Sequence, residues 1–240
     1  MLTKNKIKII RSLANKKERY SHGRFVIEGE KIVNEALAMG LVIEELIVRE
    51  DLQDRINAAT FTLASKKDMD RCSSMKHAPG VLAICPLIKW NPPKVDSGKF
   101  IMLDGVNDPG NLGTIIRVAD WFGIDGIICS KETVDVYNQK VVQASMGSVF
   151  RVPVWYHDLN EFISTHRTNT TLIAADLEGE NCNDFTFPNN GILVLGSESH
   201  GISEQLLSQV DHKITIPRVG EAESLNVSVA AGVICARFAG

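Results

Sequence analysis

Six apolar runs recur through the second half of the chain: "KFIMLDGV", "IDGIICS", "FRVPVW", "TLIAADL", "GILVLGS" and "HKITIPR". Segments with helical spacing, such as "NQKVVQASMG" and "SEQLLSQV", separate them. A continuous apolar run is a strand buried on both faces, so helices must cover both sides of a mostly parallel α/β sheet. Sheets of this kind bind ligands beyond the carboxyl ends of their strands, so the loops leaving the strands are the first place to look for chemistry.

The segment before these runs has its own alternation. A short strand, "RFVIEG", is followed by the helical stripe "EKIVNEALAMG", the strand "IEELIVRE", then helix, strand and helix, closing on "GVLAICP". This predicts a small α/β layer domain. "LIKWNPPKVDSG", with paired prolines and Ser-Gly in a polar run, has the composition of a linker. The expected organisation is a first domain over residues 1–88, a linker over 89–98 and a second domain over 99–240.

Nothing approaches the roughly 18 apolar residues of a membrane helix, and "MLTKNKIKIIRSLANKK" has no secretory apolar core. The expectation is a cytoplasmic protein with no membrane partner. The five cysteines, Cys72, Cys85, Cys129, Cys182 and Cys235, are widely spread and form no C-x-x-C pair. They read as buried free thiols rather than as zinc or redox ligands, and no metal is expected. Charge is unevenly placed. Residues 1–24 hold eight bases (Lys4, Lys6, Lys8, Arg11, Lys16, Lys17, Arg19 and Arg24) against Glu18, so this end carries +7 and the rest −10 to give the overall −3. A basic terminal helix is either a solvated face or a nucleic-acid contact.

Three strand exits carry the remaining signal. In the first, "NDPGNLGTIIRVAD", Asp108-Pro109-Gly110 is a turn, Asn111 is placed to cap the next helix, and Gly113 permits close backbone approach. Arg117, set among Ile115, Ile116 and Val118, must face solvent or be paired, because an unpaired buried guanidinium is costly. In the second, "GILVLGSESHGIS", Ser203 reads as the cap of "SEQLLSQV", leaving Glu198 and an exposed His200 on a short polar loop. In the third, "ITIPRVGEAESLNVSVAAGVICARFAG", Ser224 reads as the cap of a buried C-terminal helix, with Asn226 beside its orphan backbone donors. None of these loops has G-x-G-x-x-G spacing or a Gly-Lys-Ser/Thr ending, which argues against nicotinamide and simple nucleoside-triphosphate chemistry.

Taken together, "NDPGNLGTIIRVAD", "LVLGSESHGIS" and "IPRVGEAESLNVSVAAGV" closely resemble, in order, the three motifs of the SpoU, or TrmH-type, family of RNA ribose 2′-O-methyltransferases in the SPOUT superfamily. "ASMGSVFRVPV" between them is also typical of that family, and "RFVIEGEKIVNEAL" resembles the small α/β/α substrate-binding domain, like certain ribosomal proteins, that many members carry. The resemblance covers nearly the whole chain. It implies a parallel sheet whose C-terminal segment threads a deep trefoil knot, a topology that pattern alone would exclude. It also implies S-adenosylmethionine as cofactor, RNA as substrate and a homodimer formed through the catalytic domains.

Carried over residue by residue, the family's functional positions fall on Asn111, Arg117, Glu198, Ser224 and Asn226. Cofactor contacts are implied at Leu195, Gly196, Gly201, Ile216, Ser224, Leu225 and Asn226. RNA contacts are expected at Lys4, Lys6, Lys8, Arg11, Lys16, Lys17 and Arg24. The implied reaction is attack of a ribose 2′-oxygen on the sulfonium methyl. The family scheme casts Arg117 as base, yet a guanidinium with a pKa above about 12 stays protonated. Arg117 is therefore expected to clamp an RNA phosphate and stabilise the developing alkoxide, with a phosphate or water taking the proton. Asn111 and Glu198 would orient Arg117 or fix loop geometry, and Ser224 and Asn226 would hold cofactor or ribose. Members with this N-terminal domain point to large-subunit ribosomal RNA. The alternatives are a transfer-RNA methyltransferase and a catalytically silent RNA-binding member.

Overall fold

The computed structural model describes residues 2–166 and 170–240, which form two units. The first comprises Met1–Lys89 with Tyr137–Phe150, and the second Trp90–Val136 with Arg151–Gly240.

The first unit begins with α1 (Lys4–Ser12) and α2 (Lys16–His22), where the sequence reading expected a single basic helix. The division comes from local capping. The Thr3 hydroxyl accepts from the Lys6 amide to start α1, Asn15 Oδ1 accepts from the Lys17 amide to start α2, and Gly23 ends α2 in the left-handed region. There follow β1 (Arg24–Glu28), α3 (Glu30–Ala38), β2 (Glu45–Arg49), a 3-10 turn (Glu50–Arg55), β3 (Thr62–Ala64), α4 (Lys66–Cys72) and β4 (Val81–Pro86). The sheet order is β1-β4-β2-β3, antiparallel except for the β2–β3 pair. Ile7, Ile10 and Leu13 of the amphipathic N-terminal segment bury against Ile47, Met69 and Leu82, which leaves Lys4, Lys8 and Arg11 of α1 on the outer side.

The second unit runs β5 (Lys99–Asp104), α5 (Pro109–Phe122), β6 (Gly126–Ser130), β7 (Val154–His157), α7 (Leu159–His166), β8 (Thr171–Asn181), β9 (Gly191–Gly196), α8 (Glu204–Leu207), β10 (His212–Thr215) and α9 (Val227–Phe238). Its six strands are all parallel in the order β10-β8-β9-β5-β6-β7, as the continuous apolar runs require. The strand expected at "FRVPVW" starts later, at Val154. Ser148–Phe150 form a 3-10 turn, and Pro153, which has no amide hydrogen, supplies only its carbonyl, to Ile127 N. The five cysteines are buried free thiols, and among the described residues no helix is long and apolar enough to cross a membrane.

Tyr137–Phe150, including α6 (Gln139–Ser145), lies in sequence between β6 and β7, yet it packs with the first unit rather than with the 99–240 segment to which the linear boundary assigns it. The Tyr137 hydroxyl donates to Ile88 O and accepts from Ile88 N, and its ring lies 4.6 Å from that of Phe25. Gln139 Nε2 donates to the Glu28 carboxylate and Gln143 Nε2 to the Glu28 carbonyl. Glu28 is only 2% exposed, and burial raises its carboxyl pKa against the opposing hydrogen bonds of Ser73, Ser74 and Gln139.

Candidate active site

Register places the site. β5 and β9 pair so that Asp104 stands opposite Gly196, and the first and second strand exits leave the sheet side by side. β10 reaches the same end by an irregular path, its partners on β8 jumping from Ala174 at Lys213 to Glu180 at Ile214. Ala175, Asp176 and Leu177 drop out of that ladder and line a cavity instead.

The helix caps differ from the sequence expectation at the first and third exits, and at the second Ser203 takes the expected position. Asp108, not Asn111, caps α5, its Oδ1 accepting from Asn111 N at 2.9 Å, with Pro109 in the first turn. Asn111 is thus one turn inside the helix, and its side chain is released for other work. Ser203 holds the cap position of α8 without a side-chain bond, and its amide instead donates to Asp104 Oδ2 at 2.9 Å. Asn226, not Ser224, caps α9, its Oδ1 accepting from the Ser228 and Val229 amides at 3.0 and 3.4 Å. The polar residue beside the orphan donors is the one that satisfies them.

Those displacements bring the three motifs into one network. Asn111 Nδ2 donates to Glu198 Oε1 at 3.1 Å, Asn226 Nδ2 donates to Asn111 Oδ1 at 2.9 Å, and Asn226 Nδ2 also donates to Glu198 Oε1. Each amide uses both ends: Asn226 caps with its oxygen and joins the network with its nitrogen, while Asn111 accepts on one side and donates to a carboxylate on the other. Arg117 does not join them. It is exposed on α5, six residues beyond Asn111, as a solvent-facing arginine on an amphipathic helix would be.

The second exit is tightly folded. Ser197 and Gly201 exchange backbone hydrogen bonds at 3.1 and 2.9 Å, and Gly201 adopts a φ of 65°. A Cβ on Gly196 would come within 2.1 Å of the Gly201 carbonyl carbon and 2.3 Å of Ile202 N, so only glycine admits this backbone crossing. His200 is exposed, its Nδ1 2.8 Å from Ser199 Oγ.

Beside the network lies a cavity of about 480 Å³, within the range that takes a small organic cofactor. Leu195, Gly196, Gly201, Ile216, Ser224 and Leu225, all expected as cofactor positions, line it, as does Glu198; Asn226 is not in its wall. Sequence reasoning missed Asp104, which pins the second loop, and the wall formed by Ala175–Leu177, Ala230 and Ile234. The signal was available for part of this, since "TLIAADL" is also a strand exit on the ligand-binding side. The mainly apolar walls and the backbone passing bare at Gly196 and Gly201 suit a planar base with polar edges, and Glu198 at the rim suits a cationic group. The residues present therefore fit S-adenosylmethionine.

The expected RNA residues lie on the first unit. Lys4, Lys8, Arg11, Lys16 and Lys17 are exposed, whereas Lys6 pairs with Glu45 at 2.8 Å and Arg24 with Glu44 at 2.5 Å. Arg19 is buried and donates to the Leu13 and Ala14 carbonyls.

Comparison with known proteins agrees with this geometry. Residues 98–236 match the model of the SpoU rRNA Methylase family, and residues 4–83 that of the MRM3-like substrate binding domain. The chain is 30% identical over 232 residues to the Bacillus subtilis 23S rRNA (guanosine(2553)-2′-O)-methyltransferase RlmP, covering 95% of this chain and 94% of that one. Among solved structures, it resembles a protein assigned to the TrmH family of RNA methyltransferases from Porphyromonas gingivalis, with a TM-score of 0.88, 33% identity and coverage of 99% and 98% of the two chains. It also resembles an AdoMet-bound rRNA methyltransferase from Sinorhizobium meliloti, with a TM-score of 0.87, 30% identity and coverage of 99% and 95%. With its three motifs gathered at one end of a parallel sheet and the family model matched across the second unit, this chain belongs to the SpoU rRNA methylase family.

Proposed function

We propose that this protein transfers a methyl group from S-adenosylmethionine to a ribose 2′-hydroxyl of 23S ribosomal RNA. The observation that carries the reading is the Asn111–Glu198–Asn226 network, which ties all three strand exits together at the edge of the cofactor-sized cavity. The full-length likeness to a 23S rRNA ribose methyltransferase supports the substrate.

The bound cofactor supplies a methyl carbon made electrophilic by its sulfonium. The protein's part is to hold the nucleophile in line with that carbon, and alignment of this kind is worth on the order of 7–11 kcal/mol in favourable cases. With the cofactor bound, the 2′-oxygen would take the methyl carbon as its bond to sulfur breaks, and the hydroxyl proton would leave to a phosphate oxygen or water. Arg117, exposed and permanently charged, binds the RNA phosphate and stabilises the oxygen as it gains charge. Asn111 and Glu198 hold the first and second loops against the cap of α9. Ser224 and Leu225 stand in the cavity wall, where they would meet the cofactor.

Residues 1–88 form the RNA-binding domain, 89–98 the linker and 99–240 the methyltransferase domain, from which Tyr137–Phe150 packs with the first. Lys4, Lys8 and Arg11, at helical spacing on one face of α1, supply an electrostatic track with Lys16 and Lys17. Two copies pair through α5 and α9, which pack together and leave Trp121 82%, Val229 50% and Val233 42% exposed. The C-terminal segment threads a trefoil knot. The close backbone passages at Gly196 and at Gly179, where a Cβ would meet Lys213 and Ile214, support that topology. Five unpaired thiols fit a reducing cytoplasm.

Mapping ribose methylation in RNA from cells with and without the protein tests the substrate. Loss of one 23S site is expected. Loss of a transfer-RNA site instead assigns the other substrate, and no change alongside tight RNA binding assigns a silent member.

A further inference from the structure

Among its described residues the first unit displays one exposed Phe, Tyr or Trp side chain, with the exposed imidazole of His22 two residues beyond it on the same helix. Phe25, Tyr137 and Phe150 are buried and Phe61 is half-buried, whereas Tyr20 is 48% exposed. Tyr20 sits on α2 in the most basic stretch of the chain, three and four residues after Lys17 and Lys16. Helical spacing puts these three side chains on one face, and both lysines are exposed.

The helix that carries that face is held in place by a neighbouring residue that turns inward. Arg19 is 3% exposed, and its Nη1 donates to the Leu13 and Ala14 carbonyls at 3.0 and 2.8 Å, which ties α2 to the turn that ends α1. Asn15 caps the start of α2 and Gly23 closes its end. With Arg19 tied inward, the backbone of α2 already presents Lys16, Lys17 and Tyr20 to solvent before any ligand arrives, so only their side chains have to be ordered on binding. Lysines attract phosphate, whereas the half-exposed ring of Tyr20 adds a surface on which a base can stack. An aromatic face flanked by ammonium groups suits a nucleotide whose base is unstacked and available. A continuous duplex, with its bases already stacked, would meet only the lysines.

We propose that Tyr20 stacks on an unpaired base of the RNA while Lys16 and Lys17 engage the flanking phosphates, so that the first unit reads a loop, bulge or single strand rather than a helix. The inference rests on the reading of this unit as an RNA-binding surface.

The test uses full-length protein and two RNAs of equal stem sequence, a stem-loop and a blunt duplex, with affinities measured by fluorescence anisotropy over a range of salt. Tyr20→Ala weakens stem-loop binding about five- to hundredfold. It leaves duplex binding within about twofold, and Tyr20→Trp restores the stem-loop affinity. Lys16→Ala and Lys17→Ala weaken both RNAs, each lowering the salt slope by somewhat under about one. If Tyr20→Ala leaves stem-loop binding unchanged, or weakens both RNAs equally, while the lysine variants behave as stated, stacking is wrong and the RNA surface stands. If neither class of variant alters affinity or salt slope, the RNA reading of this unit falls, and the stacking with it. An unchanged circular dichroism spectrum and melting temperature verify that each variant is folded.

Discussion

At the scale of single residues, Asn226 joins stability to function. Its oxygen caps α9 and its nitrogen meets Glu198 and Asn111. The two tasks separate in Asn226→Ser, which keeps a good cap acceptor but has no amide to donate. We predict stability within about 1 kcal/mol of wild type by denaturant unfolding. Methyl transfer in the same variant should fall roughly ten- to hundredfold, the loss of a hydrogen bond to a charged group. Full activity would show the network to be only structural. Glu28 gives a pH prediction. Its carboxyl pKa is raised in the folded protein, chiefly by burial, so its stabilising contribution is complete below the usual carboxylate range and is lost as pH rises through the folded value. Relative to Glu28→Gln, wild type should therefore lose melting temperature from about pH 4 upward. A difference independent of pH contradicts that burial. The thiols follow the same electrostatics. Burial raises the pKa of Cys85 and Cys235 to about 12 each, so neither should be alkylated at neutral pH until the protein unfolds.

At the scale of elements, the strands were legible because their apolar runs are continuous, and the carboxyl-end rule led directly to all three exits. The caps were not. Asp108, Asn111, Ser203, Ser224 and Asn226 are all competent cap residues, and which one serves depends on which side chain the tertiary network claims. The packing of Tyr137–Phe150 with the first unit was also invisible, because contacts such as Gln139 to Glu28 span more than a hundred residues and leave no local signature. A fragment of residues 2–89 should accordingly melt less cooperatively than the same unit in the intact protein, with Phe25 and Glu28 losing the partners they have in Tyr137, Gln139 and Gln143. A sharp, independent transition would contradict the grouping. Gly196→Ala tests the tight loop. With backbone 2.1 Å from the new Cβ, the second exit cannot keep its path, and calorimetric affinity for S-adenosylmethionine should drop by at least about tenfold. Wild-type affinity would mean that the loop is freer than its hydrogen bonds imply.

At the scale of the whole molecule, the family and its fold were readable from three short motifs in order, while Arg117 illustrates the limit of such reading. The sequence marks its position, and the fold leaves it exposed and outside the Asn111–Glu198–Asn226 network. A clamp on RNA phosphate needs that exposure, and a base does not follow from it. The proposed pairing of two copies through α5 and α9 makes a further prediction: a dimer should be seen in analytical ultracentrifugation, and Trp121→Glu, which puts a charge on the most exposed aromatic of those helices, should shift it to monomer. The most direct test of the central claim is transfer of labelled methyl from S-adenosylmethionine to 23S ribosomal RNA, followed by nucleoside analysis. A 2′-O-methyl nucleoside is expected, with its formation collapsing in Asn226→Ser. Label on a base, or none despite bound cofactor and bound RNA, would contradict it.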